Sequence, residues 1–224
     1  MGFIKKLKLY LKKFYSLNNI DRKMLKYINF ENGYYIECGA NDGIRQSNTL
    51  HFEKFKGWRG VLIEPSYKFD ELVKNRSKLN FFSNNCCVSL ENENQMVKLK
   101  FLNLMTKITD EKILQIDENA AEKEDKAKKF MTSDEKVFSF KSKGKTLTKI
   151  LDKAKSPKLI DFFSLDVEDA EFEVIKGIDF KKYNFKFFLI ETNNFVNLNK
   201  ILIKENYSFL EKLSNHDYLF CYDK

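Results

Sequence analysis

Residues 37–43 of this 224-residue chain read ECGANDG. An acid at 37 closes an apolar run, glycines stand at 39 and 43, and a second acid stands at 42. Glycine turns after strands commonly hold phosphate, on a G-x-G-x-x-G pattern and the first N–H groups of the next helix. Glu37 and Asp42 argue against that here, because like unit charges a few ångströms apart repel by about 4 kcal/mol at moderate dielectric. A ligand with positive charge and little phosphate fits better. Gly39 and Gly43 would let backbone approach it closely, with Ala40 and Asn41 between them. Ser47, Asn48 and Thr49 follow, able to cap the next helix and bind a carboxylate. Glu64 ends a second apolar run, 21 residues after Gly43, where an acid binds ribose hydroxyls. S-adenosylmethionine meets these demands, with a sulfonium, an ammonium and an adenosine but no phosphate. Pro65 follows Glu64 directly. Asn85 and Cys86, at a third strand end, are placed to border the adenine, although simple core packing of Cys86 and Cys87 reads equally well.

A second set of residues could move a proton. Asp166 ends the run DFFSLD and would face the cleft near the methyl group, where it could accept a hydroxyl proton. Glu168 stands two residues on and could assist. Glu191 and Asn193 end the neighbouring run. With Asp166 they offer oxygen ligands to a hard divalent cation such as Mg, which would hold and acidify a hydroxyl. The plainer alternative has Asp166 orienting the cofactor and Glu191 satisfying backbone amides. Of the two histidines, His51 follows the glycine turn and His216 sits in the tail turn SNHDY; each is a base candidate, with a surface or packing role as the plainer alternative.

Such residues must be positioned by elements. Strand patterns over 34–38, 60–64, 80–84, 160–165 and 187–190 alternate with helical patterns over 48–55, 66–76, 170–176 and 197–205. A short strand is also expected over 95–102, and the tail reads as a closing antiparallel pair. Near-continuous apolar strands in repeated βα units give an α/β fold whose parallel sheet is covered on both faces. One domain spanning 1–224 is expected. Residues 103–145 break the rhythm and are highly charged, as a lid or mobile segment would be. Within residues 1–30, the stretch GFIKKLKLYLKKF reads as a basic helix. It would either pack on the domain or a second copy, or touch an anionic membrane surface weakly.

The formal net charge of +8 comes from 40 basic and 32 acidic residues. Only four of the basic residues are Arg, namely Arg22, Arg45, Arg59 and Arg76. Arg is the preferred fork for phosphate and base edges, so nucleic acid is not the expected partner. The four cysteines form no CxxC pair or Cys/His cluster, which argues against a zinc site. No secretory signal pattern or membrane span is evident, and a cytoplasmic location is expected.

Three blocks together resemble the FkbM-type S-adenosylmethionine-dependent methyltransferases. They are YYIECGANDGIRQSNTLHFEK (34–54), WRGVLIEPSYKFDELVKN (58–75) and KLIDFFSLDVEDAEFEVIKGIDF (158–180), the last followed by FLIETN (188–193). The resemblance implies the class I methyltransferase fold, Rossmann-like, with a mostly parallel seven-stranded sheet and an antiparallel C-terminal strand. It implies O-methylation of a carbohydrate hydroxyl, on a nucleotide-activated hexose or heptose or on a glycan of a surface or capsular polysaccharide. Lys107, Lys141, Lys143 or Lys145 could then meet a sugar nucleotide's pyrophosphate. A non-sugar acceptor, or an inactive cofactor-binding scaffold in a glycan-assembly complex, are the rival readings, and a homo-oligomer is compatible with all of them. The family's usual Glu-Gly is Glu168-Asp169 here, which puts backbone freedom at that turn in question.

Overall fold

The structure, a computed structural model, describes residues 12–114, 125, 127–129, 131, 133 and 135–223. The main sheet has seven strands: β1 (Tyr34–Cys38), β2 (Arg59–Ile63), β3 (Phe81–Ser83), β8 (Leu159–Leu165), β9 (Asn184–Glu191), β10 (Tyr207–Lys212) and β11 (Asp217–Tyr222). Their order is β3-β2-β1-β8-β9-β11-β10. Pairing is parallel from β3 through β9, and β11 inserts antiparallel between β9 and β10. The strand order therefore reverses between β1 and β8, and ligands of open α/β sheets bind at that switch point, beyond the carboxyl ends of the strands.

Alternate residues of each strand feed opposite cores, as the pleat demands. On one face, Ile36, Phe163, Phe188 and Ile190 pack against α4 (Leu147–Ala154), α5 (Glu171–Lys176) and α6 (Phe195–Lys204). On the other, Tyr35, Leu62, Phe162 and Leu189 meet α1 (Ile20–Met24), α2 (Leu50–Lys56) and α3 (Phe69–Asn75). The same alternation sends Glu37 and Ser164 toward α2, and Cys38 toward the opposite face.

Two regions depart from expectation. The strand expected over 95–102 exists as β5 (Met96–Phe101), but it belongs to a second, four-stranded sheet. Its partners are β4 (Cys86–Cys87), β6 (Lys107–Ile108) and β7 (Phe138–Lys145), in the order β4-β7-β5-β6. The far end of the charged stretch 103–145 is thus a strand, with Phe138 stacked on Phe101 and tilted against Phe140. Of the lid expected over 103–145, residues 115–124, 126, 130, 132 and 134 lie outside the described residues. Of the basic helix expected over 2–14, residues 2–11 lie outside them and 12–14 are not helical, and Tyr15 and Ser16 are pinned by buried Asp21. Among the described residues no helix is long and apolar enough to cross a membrane.

The turn after β8 holds Glu168 at φ 54° and Asp169 at φ 73°, both left-handed. Asp tolerates this conformation better than most side chains, and glycine better still. The Asp169 N–H donates to the Glu171 carboxylate at 3.1 Å, a bond glycine would keep. Asp169→Gly should therefore raise thermal stability, by up to about 1 kcal/mol. A lower unfolding midpoint would show that the Asp side chain itself holds the turn.

Candidate functional site

The carboxyl ends of β1, β2, β8 and β9 open into a two-part cleft. A narrow slot runs between Ile63, Glu64 and Pro65 on one side and Cys86, Leu99 and Ile108 of the small sheet on the other. A wider cavity of about 390 Å³ continues past Ala40, Ser47 and Asn48 to Glu191, Asn193 and His216. Gly39, Asn41, Asp166 and Glu168 line both parts, so they mark the junction.

Gly39 is fixed there by space as well as torsion. Its φ is +91°, and a Cβ would stand 1.8 Å from the Asp166 carbonyl oxygen. The end of β1 can approach β8 this closely only without a side chain. Gly39→Ala should part the two strand ends and abolish cofactor binding, read by calorimetric titration of S-adenosylmethionine into folded protein. Unchanged affinity would mean that the junction is not the binding point.

Glu64 is held by its surroundings: one carboxylate oxygen accepts the Asn41 N–H at 2.8 Å, the other the Ser66 N–H at 2.9 Å. Burial pushes its carboxyl up, and these amide bonds pull the other way. Asn85 lines the slot beside Cys86, with its side chain bridging Ser83 and the Lys143 carbonyl. The slot is closed on one side by Asn103, Leu104 and Thr106, which the sequence reading did not single out. Asn103 reaches Asn41 at 3.4 Å and Glu135 at 2.6 Å, and Glu135 pairs with Lys68 at 2.7 Å. This chain of contacts ties the stretch expected to be a lid to the rim of the slot.

Several residues expected to touch ligand are used internally instead. Glu37 lines the cavity, yet its carboxylate accepts from Ser47 Oγ, Thr49 Oγ1, the Asn48 N–H and the Arg76 guanidinium. Arg76 is fully buried and also holds Glu53 at 2.9 Å. Asp42 accepts the N–H groups of Ile44 and Arg45 through one oxygen, so it shapes the turn. Gly43 does not face the cleft; a Cβ there would collide with Arg76 and Leu72 at 2.7 Å. Thr49 is buried in the Glu37–Arg76 network, and Ser47 Oγ, not Thr49, accepts the first N–H groups of α2. The repulsion first ascribed to Glu37 and Asp42 is therefore largely spent within the protein. His51 is also displaced from its expected role. It is 1% exposed, stacks on Phe14 at 4.7 Å and bonds the Lys13 carbonyl through Nδ1, away from the cleft. The histidine at the cavity is His216.

The junction is crowded with acids. Asp166 and Glu191 both line the cavity, close enough for their charges to repel. Burial, together with repulsion from Glu191 and Glu168, lifts Asp166 well above the ordinary carboxyl range. Burial and then repulsion from Asp217 push Glu191 up to about 7, and burial and then repulsion from Glu191 push Glu168 up to about 8. All three groups are half-buried and open onto the cavity. One proton shared between two facing carboxyls is the expected state of such a pair.

The candidate metal ligands Asp166, Glu191 and Asn193 all line the wide cavity, with the Asn193 amide N–H toward Asp169 at 3.4 Å. Among the described residues no group of three or more His, Cys, Asp or Glu is arranged to hold a metal ion.

Residues 37–220, from the first acid of the cleft to the last central strand, match the family described as the methyltransferase FkbM domain. The chain belongs to the FkbM methyltransferase family. A crystal structure of methyltransferase FkbM from Methylobacillus flagellatus KT is similar at 14% identity and a TM-score of 0.49, over 88% of this chain. The chain spans 45% of that protein's length. No curated protein matches the chain.

Family membership implies S-adenosylmethionine, and the cleft suits it. In this FkbM domain Glu64 would take the ribose hydroxyls, and the apolar slot around Ile63, Pro65 and Cys86 the adenine. Ser47, Asn48 and the rim at Gln46 would face the amino-acid end.

Proposed function

We propose that this FkbM-family methyltransferase moves a methyl group onto a carbohydrate hydroxyl, on a sugar nucleotide or a glycan. The observation that supports this most is the Asp166–Glu191 pair at the junction between slot and cavity. When bound, S-adenosylmethionine supplies an electrophilic methyl carbon whose bond to sulfur breaks with its electron pair kept by sulfur. The chain's task is to present an oxygen in line and to take its proton, which is catalysis by positioning and general base. Asp166, raised well above the ordinary carboxyl range, keeps its proton beside Glu191. Glu191 is then the carboxylate able to accept the hydroxyl proton as the oxygen bonds carbon. Glu168 stands at the same junction as a second acceptor.

The reading is tested by incubating the protein with isotopically labelled S-adenosylmethionine and a panel of glycosides, oligosaccharides and sugar nucleotides, and reading products by mass. A methyl ether on a sugar hydroxyl is expected. Transfer only to an amine, carboxylate or lipid acceptor would refute it.

A further inference from the structure

We infer that the wide cavity takes an unphosphorylated acceptor, a neutral or amine-bearing glycan, and not a sugar carried on a nucleoside diphosphate. The inference narrows the carbohydrate reading above and rests on it. The site is defined by the cavity and its continuity with the slot; its charge and its amide inventory decide what it accepts.

A bound diphosphate needs N–H groups, arginines or lysines turned toward it. The glycine turn has no amide to give. The N–H groups of Gly39 and Ala40 donate to the Ile63 carbonyl, and that of Gly43 to the Ala40 carbonyl. Asn41 gives its N–H to Glu64, and Asp42 gives its own to the Asn41 side chain. Ile44 and Arg45 give theirs to Asp42. Every backbone donor from 39 to 45 is therefore engaged inside the protein.

The lysines expected to meet a pyrophosphate do not supply the missing charge. Lys141 and Lys143 alternate onto the exposed face of β7, and neither they nor Lys145 lines the cavity among the described residues. Lys107 stands beside Glu168, whose charge it offsets. Arg45 does line the cavity. Facing it are Asp166, Glu168, Asp169 and Glu191. The methyl donor adds one net positive charge. A diphosphate brought among these carboxyls meets like charge at each one that is ionised. Proton uptake by the acids would relieve that, but it would also remove the groups able to take a hydroxyl proton. Neutral hydroxyls and ammonium groups carry no such conflict, since carboxylates are ready acceptors for both.

Two measurements decide the matter. In the first, the wild-type protein receives labelled S-adenosylmethionine with paired acceptors, each hexose as its methyl glycoside and as its nucleoside diphosphate. Glycoside methylation about tenfold or more above the diphosphate partner is expected; equal or faster transfer to the diphosphate overturns the inference. In the second, uridine diphosphate is titrated calorimetrically into protein saturated with S-adenosylhomocysteine. No saturable binding below about 1 mM is expected, and the double substitution Glu168→Gln, Glu191→Gln should tighten binding about tenfold. Wild-type binding tighter than about 0.1 mM overturns the inference. If neither acceptor form is methylated, the O-methylation reading fails, while the titration still decides the acceptor's charge.

Discussion

Arg76→Met is expected to cost about 3–5 kcal/mol of folding stability, because removing one member of a buried ion network leaves its partners charged and unpaired. The guanidinium lies 3.0 Å from Glu37 and 2.9 Å from Glu53, all three side chains being under one-tenth exposed. It also donates to the Tyr35 hydroxyl and to Thr49 Oγ1, both at 2.8 Å. One side chain thus ties the end of α3 to β1 and α2. Burial alone would raise the Glu53 carboxyl; Arg76, with bonds from Tyr35, Ser77 and Asn80, outweighs it and holds the group below its ordinary value. A lowered folded pKa contributes stability that is present above the unfolded value of 4.5 and lost as pH falls through the folded value. In urea titrations the wild type should therefore lose stability on acidification below about pH 4.5, and Arg76→Met should lose less over that window. Arg76→Lys should not restore it, since an ammonium cannot reproduce the planar fork. A variant within 1 kcal/mol of wild type would show that the network is not what anchors the cofactor turn.

Glu191→Gln is expected to lower kcat by about a hundredfold or more, the usual yield of a positioned general base. The pH profile separates this from a structural effect. With Glu191 raised to about 7 by burial and then by repulsion from Asp217, the base is protonated below that pH and free above it. The wild-type kcat/KM should climb between about pH 6 and 8, and the climb should vanish in Glu191→Gln while S-adenosylmethionine still binds. The same raised pKa means that Glu191 favours folding below 4.5 and that this contribution fades as pH rises through about 7. Stability and activity should therefore move in opposite directions across neutral pH. A retained rising limb in the variant would transfer the role to Glu168 or His216.

Much of this was legible in the sequence because the signals were local. The buried strands show as unbroken apolar runs, such as FFSL within β8 and FFLI within β9. Glu64 and Asp166 stand immediately beyond strand ends, and strand ends in a parallel sheet converge on one edge. Glu37 and His51 were less legible, because residue type does not tell which partner a side chain will find. Glu37 was read as facing a cationic ligand, but Arg76, 39 residues away, claims it. A signal was present, since one of four arginines in a lysine-rich chain marks a place that needs a fork. His51 falls on the first turn of α2, where only the packing of Phe14, Phe52 and Phe55 shows that it faces the aromatic cluster. The small sheet was harder still. β7 reads FSFKSKGK, an alternation whose inward residues end in Ser142 and Gly144, too small to register as apolar. The positive φ at Asp169 falls at the turn where the resemblance puts backbone freedom in question.

The cleft is expected to bind S-adenosylmethionine through Glu64. Calorimetric titration of that cofactor into wild type and into Glu64→Ala tests this directly. Saturable binding by the wild type, weakened about tenfold or more in the variant, is predicted, equivalent to at least about 1.4 kcal/mol. Equal affinity in both proteins, or binding of a nicotinamide dinucleotide in place of S-adenosylmethionine, would contradict it.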